Sequence, residues 1–147
     1  MIYNRHLLTK RETYAKGKNV ISVATACLAL SVYFESRNQP DIGQQYVAHV
    51  VANRSENNDM CSVVFEKNQF SWTNNIKHSG EPAVMVKRAM KQIDEPESWV
   101  KSIEVAKEVM NRKHDITNGA KFFNKRKLGV RFKTKVKPII IGQQVFY

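Results

Sequence analysis

The sequence predicts an α+β domain, mainly helical, and three observations carry that expectation. Apolar residues recur at helical spacing through four segments between Asn19 and Met110. Asn118-Gly119 then marks a turn, after which Phe122, Phe123, Val130, Phe132, Val136 and Ile139 to Ile141 are placed as in short strands. The chain has 147 residues, 42% hydrophobic and 25% charged. That suits one globular domain with a real core and excludes collagen-like, disordered and multi-span membrane classes.

The elements follow in order. Residues 1–18 carry Arg5, Lys10, Arg11, Lys16 and Lys18 against Glu12 and read as a loosely held basic arm, which leaves 19–147 as a single domain. From Asn19 to Phe34 nearly every face is apolar, as in a helix enclosed by others. The apolar run falls short of the roughly 20 residues that span a bilayer, and Glu35 and Arg37 stand where a signal peptide needs small residues. A buried core helix is therefore expected, with no leader and no membrane span. Pro40 is a break, and Gly43 to Arg54 reads as a second helix with Tyr46, Val47, Val50 and Val51 on one side. Asn57-Asn58-Asp59 closes it. Cys61 to Phe65 fits either a strand or a helical turn, and a polar loop then holds Gln69-Phe70-Ser71-Trp72. Glu81-Pro82 opens a third helix that continues over Ala83 to Ile93. Asp94 to Glu97 interrupts, and Ser98 serves as N-cap of a fourth helix running to Met110, with Trp99, Ile103, Val105, Ala106 and Val109 as its apolar set.

Charge narrows the partners. Twenty-four Lys and Arg against thirteen Asp and Glu give a formal charge of +11, which attracts polyanions such as nucleic acid, anionic membrane or cell wall. Asp115 is the last acidic residue, so the basic surface is concentrated late: Lys121, Lys125, Arg126, Lys127, Arg131, Lys133, Lys135 and Lys137. Cys27 and Cys61 are either one bridge or two buried thiols. His6, His49, His78 and His114 lie at no paired ligand spacing, so neither a metal site nor a cofactor is expected.

Glu35 is the most suspicious titratable residue. It ends the apolar segment beside Tyr33 and Phe34, and apolar walls disfavour a carboxylate, raising its pKa and keeping a proton to donate near neutrality. The plainer reading pairs Glu35 with Arg37 or makes it a cap. Gln69 to Trp72 likewise reads as a sugar platform or as a packed loop.

These same residues carry a resemblance. Cys27-Leu28-Ala29-Leu30-Ser31-Val32-Tyr33-Phe34-Glu35-Ser36-Arg37, followed by Gly43-Gln44-Gln45-Tyr46-Val47-Ala48-His49-Val50-Val51-Ala52-Asn53-Arg54, resembles the opening of the SleB-type cell wall hydrolase family. The likeness continues in Cys61 to Val64, Gln69 to Trp72, Gly119-Ala120 with Phe122-Phe123, and Ile141-Gly142 with Val145-Phe146-Tyr147. Ser36 departs from the usual alanine, and Asn124 and Gln144 stand where the family often has histidine.

The resemblance implies a lysozyme-like fold with a small antiparallel sheet beside a cleft, and cleavage between N-acetylmuramic acid and N-acetylglucosamine. It makes Glu35 the catalytic acid, with Gln69, Ser71, Trp72, Phe123 and Asn124 as substrate contacts, while Tyr33, Asn53, Arg54 and Tyr147 fix the cleft's geometry. Asp41, Asp59 and Glu66 are available as a second carboxylate, but none sits in a motif that marks it so. The expected function is thus a single-acid lytic transglycosylase or muramidase, acting on peptidoglycan as a monomeric bacteriophage endolysin, with lipopolysaccharide as a further anionic partner and no nucleic acid. On this reading it is made in the host cytoplasm and acts on the wall from the periplasm. Because Phe34 to Arg37 lie outside the basic tail, charge is expected to set wall affinity and the carboxyl to do the chemistry. The competing readings are a catalytically silent wall-binding module and a small basic nucleic-acid-binding protein.

Overall fold

Ser22 decides where the central helix begins. Its backbone is extended and its Oγ accepts from the Thr25 backbone N–H at 3.0 Å, an N-cap that starts α1 at Val23–Ser36. Asn19 to Ser22, expected as the helix's first turn, are instead strand β2 (Asn19–Ser22), paired antiparallel with β1 (Thr13–Lys16). The β-branched Val20-Ile21 pair before a capping serine suits a strand better than a first helical turn. The computed structural model describes residues 13–16, 19–112 and 114–147. Apart from Thr13–Lys16, the basic arm over 1–18 lies outside them.

As the apolar composition requires, α1 is the axis. Ala26 to Tyr33 are all buried, and the helix packs against α2 (Asp41–Arg54), α3 (Met60–Val64), α4 (Pro82–Met90) and α5 (Pro96–Asn111). Each large side chain so buried contributes roughly 1.5–3 kcal/mol. The Cys61 segment is helical because Asp59 caps it, accepting from the Ser62 N–H at 3.0 Å. Its Cys61 forms a disulfide with Cys27 of α1, with Cα atoms 5.3 Å apart. Two boundaries differ from expectation. Helix α4 ends at Met90, with a turn carrying Ile93 back onto it. Helix α5 starts before Ser98: Pro96 occupies its first turn, where no N–H partner is needed, and Glu95 is the N-cap.

The late segment forms a three-stranded antiparallel sheet in the order β3 (Phe123–Lys125), β5 (Gln144–Phe146), β4 (Ile139–Ile141). Lys125 and Ile141 both pair with Gln144. Residues 129–138, expected to add strand, form none. Phe132 there packs its ring against Phe122 and Tyr147, with centroids 4.3 and 5.5 Å away. Two glycines set the sheet against α2. At Gly142 φ is +57° and an added Cβ would fall 2.6 Å from Gln39 Oε1, and at Gly43 it would meet Ile141 at 3.3 Å. A small second core of Val47, Val50, Ala120 and Phe146 fastens the sheet there. The whole is the expected α+β arrangement, mainly helical, in keeping with a lysozyme-like fold. Among the described residues no helix is long and apolar enough to cross a membrane.

Candidate active site

The C-terminal end of α1 runs out at the surface beside the sheet, and a cleft of about 1220 Å³ opens there. That exceeds the roughly 300–1,000 Å³ of a typical small-ligand pocket and suits a stretch of polymer. One wall is the end of α1 with the loop leading into the 3-10 turn Ser71–Asn75. The other is β3 with the 3-10 turn Arg126–Leu128 that follows it. Glu35, Gln69, Ser71, Trp72, Phe123 and Asn124 all line this one cleft, although they come from three distant parts of the chain.

Glu35 is half-buried, and burial pushes its carboxyl up to about 7, against the downward pull of Lys125. It is not spent on Arg37, which pairs with Glu95 and lies over the Tyr33 ring. Tyr33 itself is anchored: its hydroxyl donates to Asp94 Oδ1 at 3.0 Å and accepts from the Asp94 and Glu95 N–H groups. These contacts fix the last turn of α1. Ser36 is buried and donates to the Val32 carbonyl at 2.8 Å, a role the usual alanine would not fill. Trp72 is both packed and cleft-lining. Its ring stacks on Phe34 at 4.7 Å and meets Phe65 edge-on, which is the packing that the packed-loop reading expects of a side chain that also borders the cleft.

Across the cleft, Phe123 lies over Phe70 at 6.3 Å, and Asn124 donates to the Gly129 carbonyl at 3.2 Å, holding the turn after β3. Arg54 bridges the walls, donating to the Lys121 carbonyl and to Gln69 Oε1. Asn53 points away and serves the chain, donating to Asp115, Thr117 and the Ala120 carbonyl.

Two features escaped sequence reasoning. Gln144 is buried and donates from Nε2 to the Glu35 backbone carbonyl at 3.2 Å, clasping the central strand to the end of α1. The basic tail also lies beside Phe34 to Arg37 in space: Lys125, Arg126, Lys127 and Arg131 line the same cleft as Glu35. No local signal gives either contact, because both depend on β3 and β4 pairing with β5. None of the three candidate second carboxylates lines the cleft. Asp41 pairs with Lys101, Asp59 caps α3, and Glu66 does not line the cleft. Among the described residues lining it, Glu35 has the sole acidic side chain, and among the described residues no cluster of His, Cys, Asp or Glu could hold a metal ion.

Fold and cleft together define a class: a small α+β domain with one acidic side chain, its pKa raised by burial, in a cleft larger than a typical small-ligand pocket. The chain belongs to the cell wall hydrolase family, whose model matches residues 38–147. That membership makes it a peptidoglycan hydrolase. The match starts just beyond Glu35, so the part given to that residue rests on its own geometry. No curated protein and no solved structure matches the chain.

Proposed function

We propose that the protein is a lytic transglycosylase cleaving the bond between N-acetylmuramic acid and N-acetylglucosamine, with Glu35 as general acid and then general base. The observation that carries this reading is the single acidic side chain of the cleft. Protonated Glu35 gives its proton to the glycosidic oxygen as the C1–O bond breaks, and the substrate's acetamido oxygen stabilises the cation at C1. The Glu35 carboxylate then takes the proton of the same sugar's C6 hydroxyl as the O6–C1 bond forms, leaving a 1,6-anhydro end. Hydrolysis by a muramidase route would call for a second carboxylate about 5–9.5 Å from the first. Gln69, Ser71, Trp72, Phe123 and Asn124 are the substrate contacts in this reading, with Asn124 supplying amide hydrogen bonds where the family often has histidine.

The disulfide between Cys27 and Cys61 supports action outside a reducing cytoplasm, as an endolysin released to the wall would require. Mass spectrometry of fragments released from purified sacculi tests the chemistry. Anhydro ends are expected from wild type and none from Glu35→Gln. Reducing ends would mean that water is the nucleophile.

A further inference from the structure

The two walls of the cleft differ in charge. The wall made by the end of α1 and residues 69–72 presents aromatic and neutral polar groups around Glu35. The facing lip presents Lys125, Arg126, Lys127 and Arg131, and among the described residues none of these forms an ion pair. The lip is also ordered at the backbone. The Arg126 N–H donates to the Gln143 carbonyl at 2.7 Å, the Gly129 N–H closes the turn onto Arg126 at 3.0 Å, and the Arg131 N–H donates to the Tyr147 hydroxyl at 3.1 Å. Exposed cations held side by side without counter-charges repel one another, and an anionic ligand removes that cost.

An amino-sugar backbone without lactyl groups, such as chitin, carries no charge and gives such a lip nothing to bind, and in intact peptidoglycan the lactyl carboxyl of each muramic residue is taken up in the amide to its stem peptide. In peptidoglycan the carboxylates lie on the stem peptides, which branch from every second sugar, beside the scissile bonds. We propose that Arg126, Lys127 and Arg131 form a carboxylate-recognition site for stem peptides, so that the cleft selects peptide-bearing strands over neutral glycan. Arginine's fork matches a carboxylate in two parallel hydrogen bonds, and lysine adds a mobile point charge. The inference rests on the cleft being the glycan site proposed above, and it specifies which part of the substrate the second wall reads.

The test is binding by Glu35→Gln protein, so that no strand is consumed. Its ligands are soluble peptide-bearing strands, the same strands with carboxyls amidated by carbodiimide and ethanolamine, and neutral chitin oligomers. At low ionic strength the native strands should bind about tenfold or more tighter than either neutral ligand, and the gap should shrink with added salt. The combined variant Arg126→Gln, Lys127→Gln, Arg131→Gln should lose the preference. In the active background its KM for native strands should rise more than its kcat falls. Equal affinity for native and amidated strands would overturn the proposal, as would a combined variant that keeps the preference. So would phosphatidylglycerol vesicles or single-stranded DNA binding as tightly as native strands, since the lip would then be a general polyanion surface. Absence of cleavage by wild type would sink the transglycosylase reading while leaving these binding results to decide the carboxylate site.

Discussion

Glu35 and Asp115 are both partly buried carboxyls, and the fold treats them in opposite ways. Burial pushes Asp115 up, but donors from Thr117, Asn53 and Gly119 at 2.7–2.8 Å outweigh it and hold the group below its ordinary value. Glu35 meets burial with only the field of Lys125 against it, and its carboxyl rises to about 7. Asp115 lies beside His49, Nδ1 to Oδ1 3.6 Å, and burial pushes that histidine down despite the nearby carboxylate. A histidine beside an aspartate invites a catalytic reading, yet here the aspartate is a fastener whose accepting capacity is spent on the 115–120 turn. The difference teaches that an acid surrounded by donors is structural, whereas one facing a cleft without them is free to move a proton.

The largest way to break the comparison is to remove the proton at Glu35. Glu35→Gln should cost about 10³-fold in the rate of sacculus clearing, within the range of general acid–base contributions. Asp115→Asn should stay within a few fold, and a Glu35→Gln protein retaining a tenth of wild-type rate would end the assignment.

Stability should divide the other way. Asp115→Ala takes away the acceptor of the Thr117 and Gly119 N–H groups, while Asn53 keeps its bonds to Thr117 and the Ala120 carbonyl, and should lower unfolding free energy in urea by roughly 1–3 kcal/mol, whereas Glu35→Gln should not destabilise at neutral pH. Equal losses from the two variants would make both carboxyls structural.

The two groups should also give stability slopes of opposite sign. Glu35, raised from 4.5 to about 7, contributes stability that is present below 4.5 and lost as pH rises through 7. Glu35→Gln should therefore gain about 1–2 kcal/mol on wild type between pH 5 and 8, after discounting for the group's partial exposure. Asp115, held below 3.8, contributes stability that is present above that value and lost as pH falls. The same titration predicts that kcat/KM declines as pH rises through about 7, because the proton donor is lost. The smallest expected effect belongs to Lys125→Met. Removing the charge that lowers Glu35 should move that decline to higher pH by a fraction of a unit, a shift in the profile of sacculus clearing that an unchanged limb would contradict.

Much of the fold was legible because apolar spacing reports burial directly. The enclosed character of α1, the apolar face of α5 and strands β3 and β4 follow from it, whereas Val130, Phe132 and Val136 form no strand and the central β5 carried no such mark. Boundaries were less so, since Ser22 and Pro96 set helix starts through caps that compete with neighbouring candidates. At the site, Glu35 stood out because a charged residue ending an apolar helix is costly and so conspicuous. The Gln69 to Trp72 loop stood out through its aromatics. Gln144 and the cationic lip did not, because their meaning comes from the pairing of Lys125 and Ile141 with Gln144, and register between distant short strands leaves no periodicity to read.

The Gln144 clasp also has a consequence in time. It joins residues 109 positions apart in the chain, so docking β5 on the end of α1 needs a contact of very long sequence separation, longer than those by which α1 packs on α2 to α5. Closing so long a loop is slow relative to helix packing. During refolding the amides of α1 should gain protection from hydrogen exchange before those of Gln144 to Phe146, as pulse labelling would record. A chain with its helical core complete but β5 undocked would already be compact and still lack the second wall, so the capacity to cut a cell wall should be the last property the molecule acquires.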